Sequence, residues 1–259
     1  MMTFANKFVT ELSPYEQFFV ALALFSRSLA WYQMWLNWPY FSKQQKVFPV
    51  HLAMPRPLVF FTCSGHYLSI IYVVWPLLFN QALPASFAGL VFGVLCGVTI
   101  GFWVFVYEAA DYGELYEKAQ RKKTKKQRAA DDQIKLSYPS SFFIDTINHL
   151  PLLVLFSKIA YDAGPDAFAW GSIWLAPAWG ITWLVGIFMP WRMIGGDALY
   201  ADLRDDKSFG HKATVVIKLI VITLVGYILG HYLNAPFVEG VQRVAGVVGG
   251  AVGLLGGEL

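Results

Sequence analysis

Charged residues are scarce in this chain, and their scarcity excludes an ordinary soluble domain. Only 14% of the 259 residues are Asp, Glu, Lys or Arg, whereas soluble domains carry about 25%. Hydrophobic residues make up 56% of the chain, and the mean hydropathy is +0.48. The composition therefore predicts an all-α integral membrane protein in which long apolar helices cross the bilayer.

Catalytic signatures are also missing. The sequence has no G-x-S-x-G elbow, no H-E-x-x-H zinc motif, no Walker loop and no C-x-x-C pair. Five scattered histidines are too few for the histidine boxes of a di-iron hydroxylase. The basic residues lack the fold context that nucleic-acid binding requires. These absences disfavour an autonomous enzyme.

Cysteine is rare, and its placement excludes a disulfide framework. Cys63 and Cys96 both lie inside apolar runs, so we expect two packing residues. Residues 1–14 lack the basic start and short apolar core of a cleavable signal peptide. The first apolar run is therefore expected to stay in the mature protein.

Six apolar runs are long enough to cross about 30 Å of hydrocarbon as helices. They cover residues 17–38, 57–79, 84–108, 142–162, 167–190 and 213–233. Several prolines fall at or just before the starts of these runs, where a helix tolerates them. The sequence thus predicts a bundle of six transmembrane helices in a single domain spanning 1–259.

The basic residues predict how this bundle is oriented. Fifteen of the 20 Lys and Arg residues lie in three stretches, 39–56, 109–141 and 191–213. Short loops rich in Lys and Arg stay on the cytoplasmic or matrix side. Both termini are therefore expected on the opposite side of a bacterial inner membrane or a mitochondrial or other organellar inner membrane. The longest stretch should also contact anionic lipid headgroups through Lys122, Lys123, Lys125 and Lys126.

The C-terminal tail, 235–259, is rich in glycine. Its apolar run, 244–255, is too short for a comfortable crossing of the bilayer. We expect a re-entrant or surface-lying segment, with a seventh, tilted span as the alternative.

Four glycines recur every four residues in the third span, at Gly89, Gly93, Gly97 and Gly101. This spacing places them in one stripe on a helix, where a second helix approaches closely, as in a glycine zipper. Close packing within the chain is the first interpretation. Contact with another subunit and a glycine-lined permeation path are the alternatives.

Arg27 is the most unusual residue, because it lies near the middle of the first span. No carboxylate lies at a similar depth in any other span, and a buried arginine is costly unless it is paired. Ser26, Ser28 and Gln33 are candidate partners, beside a lipid phosphate, a cofactor carboxylate or another subunit. An arginine paired with other helices and an anion-binding arginine both remain open.

Two histidines are candidate ligands. Asp145 and His149 share a helix face through their i, i+4 spacing, as a hydrogen-bonded pair or as half of a metal site. His66 lies at a similar depth in another span. Two such histidines can hold a b-type haem, with Arg27 near a propionate. In the other interpretation both histidines are polar packing residues.

These features together predict a non-catalytic membrane subunit of a larger assembly of the energy-transducing kind. An exposed glycine stripe, an Arg27 without a visible partner and the missing catalytic set motivate that prediction. One alternative is a small anion or solute transporter or channel, with helices flexing at Pro76 and Pro177. The other is a haem-b or quinone-binding electron-transfer subunit that uses His66 and His149.

Overall fold

The computed structural model describes residues 4–36, 55–101, 146–196 and 208–256. Every regular element in these ranges is helical, so the predicted all-α class is confirmed. Three helices in the same ranges are long and apolar enough to cross a membrane, namely Phe61–Phe79, Trp170–Met193 and Phe209–Val244. These helices support a membrane location, and the count of six spans stays a prediction.

The chain begins with two helices, α1 (Phe4–Glu11) and α2 (Pro14–Leu36). Ser13 caps α2 by accepting a hydrogen bond from the Glu16 backbone N–H at 3.3 Å. The Glu16 carboxylate in turn accepts from the Ser13 backbone N–H at 2.8 Å. This reciprocal capping box satisfies donors that a helix start leaves free, so α2 begins three residues before the predicted span.

The second predicted span consists of two helices, α3 (Arg56–Val59) and α4 (Phe61–Phe79). Phe60 separates them because its ψ of 139° is extended. A left-handed Asn80, at φ 54°, then ends α4. The short turn after Asn80 leads into α5 (Ala85–Gly101), as the sequence predicted. Residues 102–108 of the third predicted span lie outside the described residues.

The fourth predicted span is not one continuous helix. A helical turn covers 146–149, and α6 (Pro151–Asp162) begins after a turn at Leu150. Proline lacks the backbone N–H that helix continuation needs, so the regular helix restarts at Pro151. The 12 residues of α6 are fewer than a crossing requires.

The fifth predicted span is built from several helical types. Two 3₁₀ turns, Pro165–Phe168 and Trp170–Ser172, precede α7 (Leu175–Trp183). A π-helical turn, Leu184–Phe188, joins α7 to α8 (Met189–Met193). The predicted end at Pro190 is wrong, since Pro190 occupies the first turn of α8, where proline is accommodated.

The last helix, α9, runs without interruption from Phe209 to Gly256. Its 48 residues correspond to about 72 Å of helix. The boundary expected between a span ending at 233 and a separate tail is therefore absent. Pro236 lies inside the helix, and long membrane helices tolerate such a proline when neighbouring groups satisfy the backbone.

α5 is the central helix of the described residues. Thirteen of its 17 residues are buried, which fits a helix that is apolar on every side. The helices α4, α6 and α9 and the 3₁₀ turn at Pro165–Phe168 all pack against it. The stretch Trp170–Met193 and α9 instead expose many large apolar side chains, as expected for helices that face lipid or another protein.

Candidate functional site

The glycine stripe of α5 lies against α9 of the same chain. A Cβ added to Gly97 would come within 2.7 Å of Thr223 Oγ1 and 2.9 Å of Thr223 Cα. A Cβ added to Gly93 would lie 3.2 Å from Tyr227 Cβ. The α5 backbone therefore touches the α9 backbone along this stripe, which is the close approach that small residues permit.

The two ends of the stripe differ. A Cβ on Gly89 would overlap the backbone carbonyl of Ala167, whereas one on Gly101 would meet nothing closer than Ile222 Cδ1 at 4.0 Å. In the described residues, α9 and the 3₁₀ turn Pro165–Phe168 of the same chain therefore pack against the glycine stripe. The alternative of a stripe exposed to another subunit is wrong, because α9 and the 3₁₀ turn already occupy it.

Arg27 is buried inside the bundle, with 6% of its surface exposed. Its guanidinium donates to Cys63 Sγ at 2.6 Å and to Asn148 Oδ1 at 2.6 Å. A longer bond of 3.3 Å reaches Ser26 Oγ. The interpretation of an arginine paired with other helices therefore agrees with the structure: α2, α4 and the turn before α6 all supply acceptors, and Ser26 was among the predicted partners.

All three acceptors of Arg27 are formally neutral. Asn148 Oδ1 also accepts from the Ser26 hydroxyl, so its two lone pairs are both used. Within the described residues Arg27 has no ion-pair partner, and its Nε has no hydrogen-bond acceptor. Arg27, Ser26, Cys63 and Asn148 thus form a polar cluster with a buried positive charge that these hydrogen bonds do not neutralise.

His66 lies beside this charge and is fully buried. Arg27, His149 and the Asn148 backbone all lie near its ring. Neither ring nitrogen makes a well-formed hydrogen bond among the described residues. Such groups are rare in folded proteins, since leaving a buried polar atom unsatisfied is costly.

His149 lies at the edge of the same cluster. It is 7% exposed, and its backbone carbonyl accepts a hydrogen bond from the Thr99 hydroxyl of α5. The structure therefore brings together Arg27, His66 and His149, the three residues singled out as cofactor ligands. Asp145, the proposed partner of His149, lies outside the described residues.

A b-type haem or a quinone held by His66 and His149 stays a prediction. Beside His66, a Cβ on Gly65 would lie 3.0 Å from Val94 Cγ1, so α4 and α5 pack closely on the side of α4 that carries Gly65.

Other candidate residues do not join the cluster. Ser28 is exposed and donates to the Leu24 carbonyl of its own helix at 3.0 Å. The side chain of Gln33 and the four lysines expected at lipid headgroups lie outside the described residues. No group of three or more His, Cys, Asp or Glu that could hold a metal occurs in the ranges 4–36, 55–101, 146–196 and 208–256.

Sequence reasoning missed three members of the cluster, Cys63, Thr99 and Asn148. Cys63 was assigned to packing, and the other two were not singled out. Asn148 offered a signal, since it is an amide beside His149 at the start of an apolar run. The side chains that complete the cluster come from segments 36 and 121 residues away from Arg27, and sequence spacing does not show such distances.

A separate cavity of about 210 Å³ lies between α1, α2 and the C-terminal half of α4. Glu11 and Glu16 line it together with Tyr72 and Pro76. Its lining shares no residue with the Arg27 cluster. The carboxylates of Glu11 and Glu16 make its lining acidic, in contrast to the cluster around Arg27.

The far end of α9 is the second unusual feature. Val238 is the last buried residue that the structure describes, and the side chains of 239–244 are all exposed. Glu239 and Arg243 face one another at 3.9 Å on this exposed stretch. Beyond them the helix continues to Gly256.

The described residues form an all-helical fold with membrane-length apolar helices, a polar cluster around Arg27 in the interior and a final helix of 48 residues. Comparisons of the chain with protein families, with curated proteins and with solved structures find no match.

Proposed function

We propose that this protein is a non-catalytic integral-membrane subunit of a larger assembly of the energy-transducing kind. The single observation that carries the proposal is the projecting end of α9. About 20 residues suffice for a helix to cross the hydrocarbon of a bilayer, and α9 has 48. Part of it must therefore extend beyond one face of the membrane.

The projecting part has the wrong composition for a helix surrounded by water. Residues 244–255 are almost entirely Gly, Ala, Val and Leu. An apolar helix of small residues is stable when another helix packs closely against it. The described side chains that lead into this segment, 239–244, are exposed, and the helix that covers the segment is assigned to another membrane subunit.

Two features that the sequence offered in favour of an assembly are satisfied within the chain. α9 occupies the glycine stripe of α5, and Arg27 has partners on α4 and before α6. The absence of catalytic motifs from the sequence and the end of α9 support the assembly.

The proposal includes six spans with both termini on the outer side of a bacterial or organellar inner membrane. The three basic stretches support this orientation, since they fall in alternate loops. Anionic headgroups are the proposed lipid partners of Lys122, Lys123, Lys125 and Lys126, because such clusters are attracted to a negative surface.

Removing residues 245–259 tests the assembly. We expect the full-length protein, extracted gently from its own membrane, to carry additional protein mass in native mass spectrometry. The truncated chain should lose that mass, because the helix of the partner subunit no longer has the apolar end of α9 to pack against. Its thermal unfolding midpoint should change little, because the described side chains next to the cut, 239–244, are exposed.

The matched control is Arg243→Ala, which removes an exposed charge from α9 and leaves the apolar end intact. This variant should retain the additional mass. A full-length chain that is recovered alone or only as a homo-oligomer would contradict the assembly and favour a small anion or solute transporter. Additional mass that survives the truncation would show that α9 is not the contact.

A further inference from the structure

We infer that the cluster of Arg27, His66 and Asn148 binds a small monoanion of halide size inside the bundle. Nothing in this inference depends on the assembly proposed above. Three observations carry it: an unneutralised buried cation, two donors without acceptors, and the absence of space for a larger ligand.

The first observation concerns charge. Arginine stays protonated in proteins, and an isolated charge in a low-dielectric interior is strongly unfavourable. Arg27 is 6% exposed, and its acceptors among the described residues are a thiol, a hydroxyl and an amide. These groups solvate the guanidinium, and no carboxylate of the residues 4–36, 55–101, 146–196 and 208–256 pairs with it. A bound anion would supply the negative charge that the described cluster lacks.

The second observation concerns hydrogen bonds. Arg27 Nε carries an N–H, and a neutral imidazole carries one N–H as well. Among the described residues Arg27 Nε has no acceptor, and His66 makes no well-formed hydrogen bond although its ring lies near the Asn148 backbone and Arg27. A monoanion accepts from both donors at once. A water molecule would accept from them too, but it would leave the charge of Arg27 unbalanced.

The third observation limits the size of the anion. His66 is 0% exposed, and α4 and α5 touch at Gly65, one residue away. A lipid headgroup or an organic acid would have to separate these helices. A halide is close to the size of a water molecule, so it needs only local adjustment of side chains.

A bromide titration of the purified full-length protein in detergent tests this inference. The ⁸¹Br NMR linewidth should broaden in the presence of the protein and sharpen again when excess chloride competes. The thermal unfolding midpoint should rise by about 2–4 °C as bromide replaces gluconate at constant ionic strength.

Two variants assign the effect to the cluster. Asn148→Asp places a carboxylate of nearly identical shape 2.6 Å from the Arg27 guanidinium, so the chain supplies its own anion. In this variant chloride should no longer reverse any broadening of the ⁸¹Br line, and the thermal unfolding midpoint should no longer rise with bromide. Arg192→Gln removes an arginine that lies on α8, outside the cluster, and it should keep both effects.

The inference would be overturned if the wild-type protein neither broadened the ⁸¹Br line reversibly nor unfolded at a higher temperature in bromide. The charge of Arg27 would then be balanced within the chain. Equal bromide effects in Asn148→Asp and in the wild type would also overturn it, by placing the halide on the surface. If Asn148→Asp does not fold, His66→Gln serves instead and should weaken bromide binding, whereas unchanged binding would contradict the site.

Discussion

Buried hydroxyl groups differ in where their hydrogen bonds go, and the difference separates packing residues from the cluster. Ser64 and Ser69 each return a hydrogen bond of 2.6 Å to a carbonyl of their own helix, Phe61 O and Gly65 O. Such local bonds satisfy a hydroxyl at little cost. The Ser26 hydroxyl instead donates to Asn148, 122 residues away. Ser26 therefore links different elements, as does Thr99 through its bond to the His149 carbonyl.

The start of α2 gives a prediction at the scale of one side chain. Ser13→Ala removes the hydroxyl that accepts from the Glu16 N–H. We expect the free energy of unfolding to fall by about 1 kcal/mol, the usual cost of losing a helix N-cap. Reversible unfolding in mixed detergent measures the change.

Ser28→Ala is the matched control in the same helix. Ser28 is exposed, and its hydroxyl bonds only to Leu24 O one turn earlier. Its removal should change the free energy of unfolding by a few tenths of a kcal/mol at most. Equal losses in the two variants would argue against a structural role for the Ser13 cap.

At the scale of elements, the pairing of α5 with α9 organises the described fold. A Cβ on Gly226 of α9 would lie 2.8 Å from Gly93 O and 2.5 Å from Cys96 Cβ. Each helix thus presents glycine to the other. Tyr227 extends the contact by donating to Ala169 O at 2.9 Å, which ties the turn before α7 to the same pair.

Gly97→Ala should destabilise this pair. The added methyl group would lie 2.9 Å from Thr223 Cα and 3.0 Å from Thr223 N, and a backbone does not move aside as a side chain does. Overpacking of this kind costs about 1–3 kcal/mol. The midpoint of thermal unfolding in detergent should fall accordingly.

Gly101→Ala lies one step further along the same stripe and provides the control. Its new methyl group would meet only Ile222 Cδ1, at 4.0 Å. Since alanine favours a helix by up to about 1 kcal/mol over glycine, this variant should be as stable as the wild type or slightly more so. A loss as large as that of Gly97→Ala would contradict the contact between α5 and α9.

At the scale of the whole molecule, the orientation in the membrane is open to a labelling experiment. Cys63 and Cys96 are both buried, so a newly introduced exposed cysteine reports its own side. Asp166 lies in an exposed turn in the basic-free loop. Gly210 lies at the start of α9, next to a basic stretch, with open space around its Cα.

We expect Asp166→Cys to react with a membrane-impermeant maleimide added to the outer side of sealed membranes. Gly210→Cys should react only after the membrane is permeabilised, because the basic stretch holds that end inside. The wild type, with its two buried thiols, should react in neither case. The reverse pattern would contradict the proposed orientation. Labelling of both variants from outside would show that no membrane span separates residues 166 and 210.

Much of the fold was predictable, and the failures have local causes. The turn at Asn80 and the start of α5 followed from apolar run length and turn chemistry. Pro190 was wrongly taken as an end, although proline fits the first turn of α8. The tail was separated from the sixth span at 233–235, although α9 continues through Pro236.

The sequence by itself determined the helical class, the membrane-length apolar helices and the glycine stripe. Composition and short-range periodicity fix these features, and both are visible in a linear chain. The tertiary structure alone decided that α9 fills the stripe and that Cys63, His66 and Asn148 surround Arg27. These contacts join segments more than 30 residues apart, and only the packing of helices brings such segments together.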